Sequence, residues 1–190
     1  MIKKGIILAG GIGSRMSPLT KAVNKHLLPI YDKPVIFYPL SVLMLSGIRD
    51  ILIIVNKNQQ NQFKKILPNG KNLGIKISYA EQKSPRGLPD AFVVGEKFIN
   101  KENVALILGD NFFYGQSLTN KLKKCVKLKN GATIILHPVK NPSSYGVAKV
   151  NKRNKIIKII EKPKKFISNL AVTGLYFFDN KVVQYSKKIK

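Results

Sequence analysis

The chain is written in short apolar runs separated by polar, glycine- and proline-bearing stretches. Ile51-Leu52-Ile53-Ile54-Val55 and Val104-Ala105-Leu106-Ile107-Leu108 are continuous rather than alternating. Such runs suit strands of a parallel sheet covered on both faces. With Gly5–Ala9, Ile75–Ala80 and Val104–Gly109, they predict four strands across the first two thirds of the chain. Between them the pattern predicts helices over Pro34–Ser46, Gln60–Leu67, Leu88–Ile99 and Leu118–Lys129. The first of these opens on proline and is followed by Gly47, the asymmetry helix ends prefer, although Pro39 falls inside it. Strands alternating with helices predict an α/β fold with right-handed crossovers. After Gly131 the style changes: Ala132–Val139, Tyr145–Val150, Lys155–Glu161 and Val172–Phe178 read as strands in close succession, and Asn180–Lys190 as the start of a helix. There is no internal repeat and no low-complexity linker.

Composition sets outer bounds. A chain of 190 residues with 44% hydrophobic content suits a globular domain with a real core. No stretch approaches the ~20 apolar residues of a membrane span. The apolar run behind Lys3-Lys4 is too short for a signal peptide, so a cytoplasmic location is expected. The single Cys125 excludes an internal disulfide and a cysteine-rich metal site.

The formal charge of +25, from 34 Lys+Arg against 9 Asp+Glu, admits two readings. One is a polyanionic partner, a nucleic acid or a phosphorylated ligand. The other is compositional bias: the cations are mostly lysine, they are spread along the whole chain, and Asn and Ile are abundant too. Aromatic residues do not interleave with the cations as a stacking platform requires. A nucleic-acid partner is therefore not expected.

Chemistry concentrates at Ile6–Arg15, where three glycines, Gly10, Gly11 and Gly13, precede Arg15. This is neither a Walker A loop, lacking Gly-Lys-Ser/Thr, nor the dinucleotide fingerprint, whose third glycine is replaced by Met16. Two readings stay open: a plain strand-to-helix turn, or a backbone cradle for phosphate with Arg15 as a charged clamp. Lys25 reads as a surface charge, and His26 and His137 as isolated structural histidines. Asp110, closing a buried strand, stands where open α/β sheets gather ligands; its bland alternative is a turn former ahead of Asn111.

Taken together, several blocks resemble the sugar-phosphate nucleotidyltransferases, in their thymidylyl branch. They are Leu8-Ala9-Gly10-Gly11-Ile12-Gly13-Ser14-Arg15, Pro18-Leu19-Thr20 and the run Lys25 to Pro34. Gly47 to Ile53, Leu108 to Gly115, Tyr145-Gly146-Val147, Glu161-Lys162-Pro163 and Val172 to Tyr176 follow in the same order. The resemblance covers nearly the whole chain. It implies a Rossmann-like, mixed, mostly parallel sheet flanked by helices, with residues 1–130 as a nucleotide-binding half and 131–190 as the start of a sugar-phosphate-binding half. It implies transfer of a thymidylyl group from dTTP to glucose 1-phosphate with release of pyrophosphate. UTP or another triphosphate is the close alternative, and a non-catalytic nucleotide- or polyanion-binding remnant the distant one.

Carried over residue by residue, Arg15, Lys25 and Asp110 are catalytic, and Asp110 binds Mg²⁺. Leu8, Gly10, Gly11, Gly13, Arg15, Gln82, Gly87 and Asp110 hold the nucleotide, with the Gln82 amide at the base edge. Tyr145, Gly146, Glu161, Lys162 and Val172 hold the sugar phosphate. Where the family has Gly-Leu-Ala-Gln-Ala, this chain has Gly87-Leu88-Pro89-Asp90-Ala91, which removes an amide contact. The family pattern runs on beyond Lys190, so the domain is expected to be incomplete and to lack the second acidic metal ligand. Homo-oligomers are expected of the full-length family and are not expected of this chain.

Overall fold

The computed structural model describes residues 1–11, 13–84 and 86–189. Ile12, within the quoted glycine-rich block, lies outside the described residues, as do Pro85 and Lys190. The chain forms two compact units, Met1–Thr133 with Phe177–Lys190, and Ile134–Tyr176.

In the first unit the apolar runs become parallel strands in the order β5-β4-β1-β6: β1 Lys4–Ala9, β4 Asp50–Asn56, β5 Lys76–Gln82 and β6 Val104–Leu108. Ile7 of β1 sits between Ile53 of β4 and Ile107 of β6, all fully buried. That burial on both faces explains why these strands read as continuous apolar runs instead of alternating ones. Helices α2 Phe37–Leu45, α3 Gln60–Ile66, α4 Leu88–Val94 and α5 Glu96–Ile99 connect them, followed by α6 Leu118–Cys125. Helix α2 packs with α6, and α4 with the closing helix α7 Val182–Lys188, so helices flank the sheet. The mixed, mostly parallel sheet expected from the sequence is thus present. The edge-to-face pair Phe92–Phe178, with centroids 5.3 Å apart, fastens α4 to the end of the last strand.

Several boundaries differ from expectation for local reasons. Pro34 does not open α2; with Lys33 it forms the short strand β3 (Lys33–Pro34), paired with β2 (Pro29–Ile30) around Tyr31 at φ 60°. Pro39 then falls in the first turn of α2, where its missing N–H is no loss. The single helix expected over Leu88–Ile99 is divided at Gly95, which leaves helical geometry at φ −83°, ψ 4°. A Cβ there would lie 3.0 Å from both Ala91 O and Ile6 Cδ1, so the backbone presses on the sheet. The helix expected to reach Lys129 stops at Cys125. A short helix α1 Leu19–Ala22 and the 3₁₀ turns Ser14–Met16 and Lys25–Leu27 follow β1 and were not anticipated.

The second unit is antiparallel. Strand β8 Gly146–Val150 pairs with β9 Ile156–Glu161 and, through Ala171↔Val147, with β10 Leu170–Phe178. Strand β7 Ala132–Pro138 pairs with β10, and the chain passes between the units within these two strands.

Candidate active site

Strand β1 delivers Gly10 and Gly11 at the carboxyl edge of the parallel sheet. Gly11 (φ 127°) and Gly13 (φ 64°) take backbone conformations that side chains rarely tolerate, which turns the chain into the Ser14–Met16 turn. The loop is anchored rather than loose. Gly11 N–H donates to Asn56 Oδ1 and Asn56 Nδ2 donates to Gly11 O, each at 3.0 Å, while Thr20 Oγ1 donates to Gly13 O at 2.9 Å. Gly11's amide is thereby engaged by Asn56, which corrects the simple picture of every loop N–H aimed at a phosphate. Leu8 stays within β1, half-buried between Ile54 and Leu108.

Gln82 closes β5 beside Asn56, its register partner on β4. It is buried, and its Nε2 donates to Asn56 Oδ1 at 3.0 Å. A Cβ on Gly10 would stand 1.9 Å from that Nε2. Gly10 is therefore a glycine because the Gln82 amide occupies the side-chain space.

On the other side of the loop, Lys25 Nζ lies 2.5 Å from Asp110 Oδ2. Asp110 follows Gly109 at the end of β6, half-exposed. Partial burial would raise its pKa; the hydrogen bond and charge of Lys25 outweigh this and hold the carboxyl below its ordinary range. His26 is buried against Gly109, where a Cβ would meet its Cδ2 at 2.8 Å. Its Nδ1 lies 2.7 Å from Asn24 Oδ1, and Asn24 Nδ2 reaches Ala9 O at 3.3 Å and Gln59 Oε1 at 2.6 Å. Burial first, then the neighbouring Lys25 charge, pushes the imidazole down to about 4, so it is neutral at physiological pH. His26 is thus a structural wedge beneath Lys25 and Asp110, as the sequence implied.

Gly11, Gly13, Arg15, Lys25 and Asp110 line one cavity of about 540 Å³, floored by Leu28, Pro29, Ile30 and Val35. The volume lies in the range of small-molecule sites. Two cations, a glycine turn and one carboxylate around an open cavity can hold a polyphosphate. Gly87, at φ 91°, precedes α4, and Pro89 lies in the first turn of that helix, where it is tolerated. Asp90 occupies the same turn, favourably placed toward the positive end of the helix dipole.

Within the second unit, Gly146, Glu161 and Val172 converge. Gly146 and Glu161 are register partners, and a Cβ on Gly146 would lie 2.8 Å from Glu161 Oε2 and 3.9 Å from Val172 Cβ. Lys162, at φ 44°, donates its N–H to Tyr145 O at 2.9 Å. Burial, then the Glu161 charge, raises the Tyr176 pKa. Tyr145, Glu161 and Lys162 are exposed. Sequence reasoning missed Asn24 and Asn56; for Asn56 the available signal was a polar residue ending a buried strand.

Among the described residues no three His, Cys, Asp or Glu side chains gather as a metal cage. No helix among them is long and apolar enough to cross a membrane. Asp110 nevertheless fits a hard divalent cation as a single protein ligand, because Mg²⁺ is commonly held by one or two carboxylates plus substrate phosphate oxygens and water.

The fold is that of the nucleotidyl transferase family, whose model matches residues 4–190. The chain is a member of that family. It is 54% identical over 187 residues to the glucose-1-phosphate thymidylyltransferase of Neisseria meningitidis serogroup A, covering 98% of this chain and 65% of that protein. A Bacillus anthracis crystal structure, provisionally called a glucose-1-phosphate thymidylyltransferase and holding a sucrose, superposes with a TM-score of 0.90 at 40% identity, covering 98% of this chain and 75% of that one. A UDP-glucose pyrophosphorylase complexed with UDP-glucose superposes at 0.85 with 29% identity, covering 100% and 81%. The chain therefore spans about 65% of the length of the curated relatives it matches.

Proposed function

We propose that the protein is the nucleotidyl-transfer portion of a glucose-1-phosphate thymidylyltransferase, joining dTTP and glucose 1-phosphate to give dTDP-glucose and pyrophosphate. The observation carrying this reading is the convergence of Arg15, Lys25 and Asp110 with Gly11 and Gly13 on one cavity.

In the reaction an oxygen of the sugar's phosphate attacks the α-phosphorus of dTTP. The bond from that phosphorus to the α–β bridging oxygen breaks, and pyrophosphate leaves with the electron pair. Both reactants are anions, so positioning and charge neutralisation form most of the task. Arg15 and the glycine turn hold the triphosphate. Lys25, steadied by Asp110 and backed by buried His26, places a cation at the transferring phosphoryl group. Asp110 would hold Mg²⁺, which would supply positive charge to offset that of the phosphates. The Gln82 amide reads the base edge, and Leu8 with Gly87 borders the nucleotide. In the second unit, Glu161 accepts from sugar hydroxyls, Tyr145, Gly146 and Val172 shape the sugar pocket, and Lys162 binds its phosphate. UTP is the second reading, supported by the likeness to UDP-glucose pyrophosphorylase.

Pyrophosphate release from dTTP, glucose 1-phosphate and Mg²⁺ tests the proposal. Arg15→Ala and Asp110→Asn are each expected to lower turnover by roughly 100-fold or more. Folded protein that binds dTTP without turnover would instead favour a non-catalytic nucleotide-binding role.

A further inference from the structure

Asn56 has no part in the chemistry above, yet it touches both the glycine loop and Gln82. Its side-chain amide pairs with the Gly11 peptide as two strand backbones pair, accepting from the N–H and donating to the C=O, both at 3.0 Å. A peptide N–H only donates and a peptide C=O only accepts, so this pairing leaves Asn56 a single amide orientation. Oδ1 must then also accept from Gln82, and Gln82 must offer its NH₂ to it, as the 3.0 Å contact from Nε2 requires. The polarity of a backbone peptide in the loop is thus passed through Asn56 to the Gln82 amide. Gln82 is left with its carbonyl oxygen as acceptor and one N–H as donor. Its amide is buried and pressed into the space where Gly10 lacks a Cβ.

We propose that Asn56 is the positioning residue that sets base specificity, by fixing which end of the Gln82 amide accepts. The inference rests on the reading of Gln82 as the base contact. An acceptor beside a donor complements an imide edge, a ring N–H next to a carbonyl, as in thymine and uracil. Cytosine presents the reverse, a ring nitrogen acceptor next to an amino donor, and meets like against like. A Gln82 amide free to rotate half a turn would serve both. The sheet makes the device possible, because Asn56 and Gln82 are register partners at the carboxyl ends of neighbouring strands.

Two substitutions separate the functions of Asn56. Asn56→Leu is close in size and can neither donate nor accept, so it releases Gln82. Asn56→Asp keeps the acceptor facing Gln82 but loses the donor to Gly11 O. Calorimetric titration of the wild-type protein with dTTP and dCTP is expected to favour dTTP by about tenfold or more. In Asn56→Leu that ratio falls toward one, while Asn56→Asp binds both nucleotides more weakly and keeps the preference. An unchanged ratio in Asn56→Leu overturns the proposal, as does a lost preference in folded Asn56→Asp. If Asn56→Leu does not fold, the aspartate variant alone decides. Wild-type protein that binds dCTP as well as dTTP overturns the proposal outright. Wild-type protein that binds neither overturns the base-contact reading and the specificity claim with it. The clamp itself is judged separately by exchange of the Gly11 amide, which is expected to quicken in Asn56→Leu; equal protection shows that Asn56 does not hold the loop.

Discussion

His26 shows how a residue without direct chemistry shapes the site. It fills the space between β1 and β6, accepts the constraint of Asn24, and remains neutral beneath a Lys25–Asp110 pair. Its lowered pKa has a defined consequence. Between about 4 and the ordinary value of 6.5 the unfolded chain binds a proton that the folded chain refuses. Stability from this group is therefore full above pH 6.5 and is lost as pH falls toward 4, by roughly 3 kcal/mol in all. Urea unfolding across that window is expected to show the decline in the wild-type protein and a flatter profile in His26→Gln. Equal slopes would mean that His26 is charged in the folded state. Gly10 and Asn56 make a related point at the same scale: one lacks a side chain because Gln82 needs the room, and the other completes the hydrogen bonding of the loop.

At the scale of elements, the four parallel strands were legible in the sequence because burial on both faces demands unbroken apolar runs, which Ile51–Val55 and Val104–Leu108 supply. The helix ends were less legible. The division at Gly95 reflects how closely its backbone meets Ile6, a residue far away in sequence. Asp179 is a further case of a contact that local pattern does not reveal. Buried at the end of β10, its carboxylate accepts from Gly131 N at 2.6 Å and Lys181 N at 3.1 Å, tying the start of β7 to the entry of α7. Asp179→Ala would leave Gly131 N–H without that partner, and a cost of about 2 kcal/mol in urea denaturation is expected. A loss no larger than that of a neutral surface substitution would show that water replaces the carboxylate without penalty.

For the whole molecule, the charge of +25 is the dominant global property. Only four ion pairs occur among the described residues, Lys4–Glu102, Lys25–Asp110, Lys33–Asp32 and Lys187–Glu96, so most cations repel one another. Salt is expected to stabilise the fold by screening. The melting temperature should rise between roughly 10 mM and about 150 mM NaCl, as the Debye length falls from about 30 Å to about 8 Å. A melting temperature that falls over this range would mean that favourable ion pairs outweigh the repulsion.

The sequence by itself determined the α/β class, the strand runs, the family blocks and the residues that carry charge to the site. Each is written locally, in apolar periodicity or in short motifs, where neighbours along the chain suffice. Only the tertiary structure decided that Lys25 and Asp110 meet, that Gln82 lies against Gly10, and that Asn56 joins the loop to the Gln82 amide. These contacts span tens of residues and depend on strand order and register. A parallel sheet brings its carboxyl ends to one edge through crossovers whose length and packing no single segment encodes.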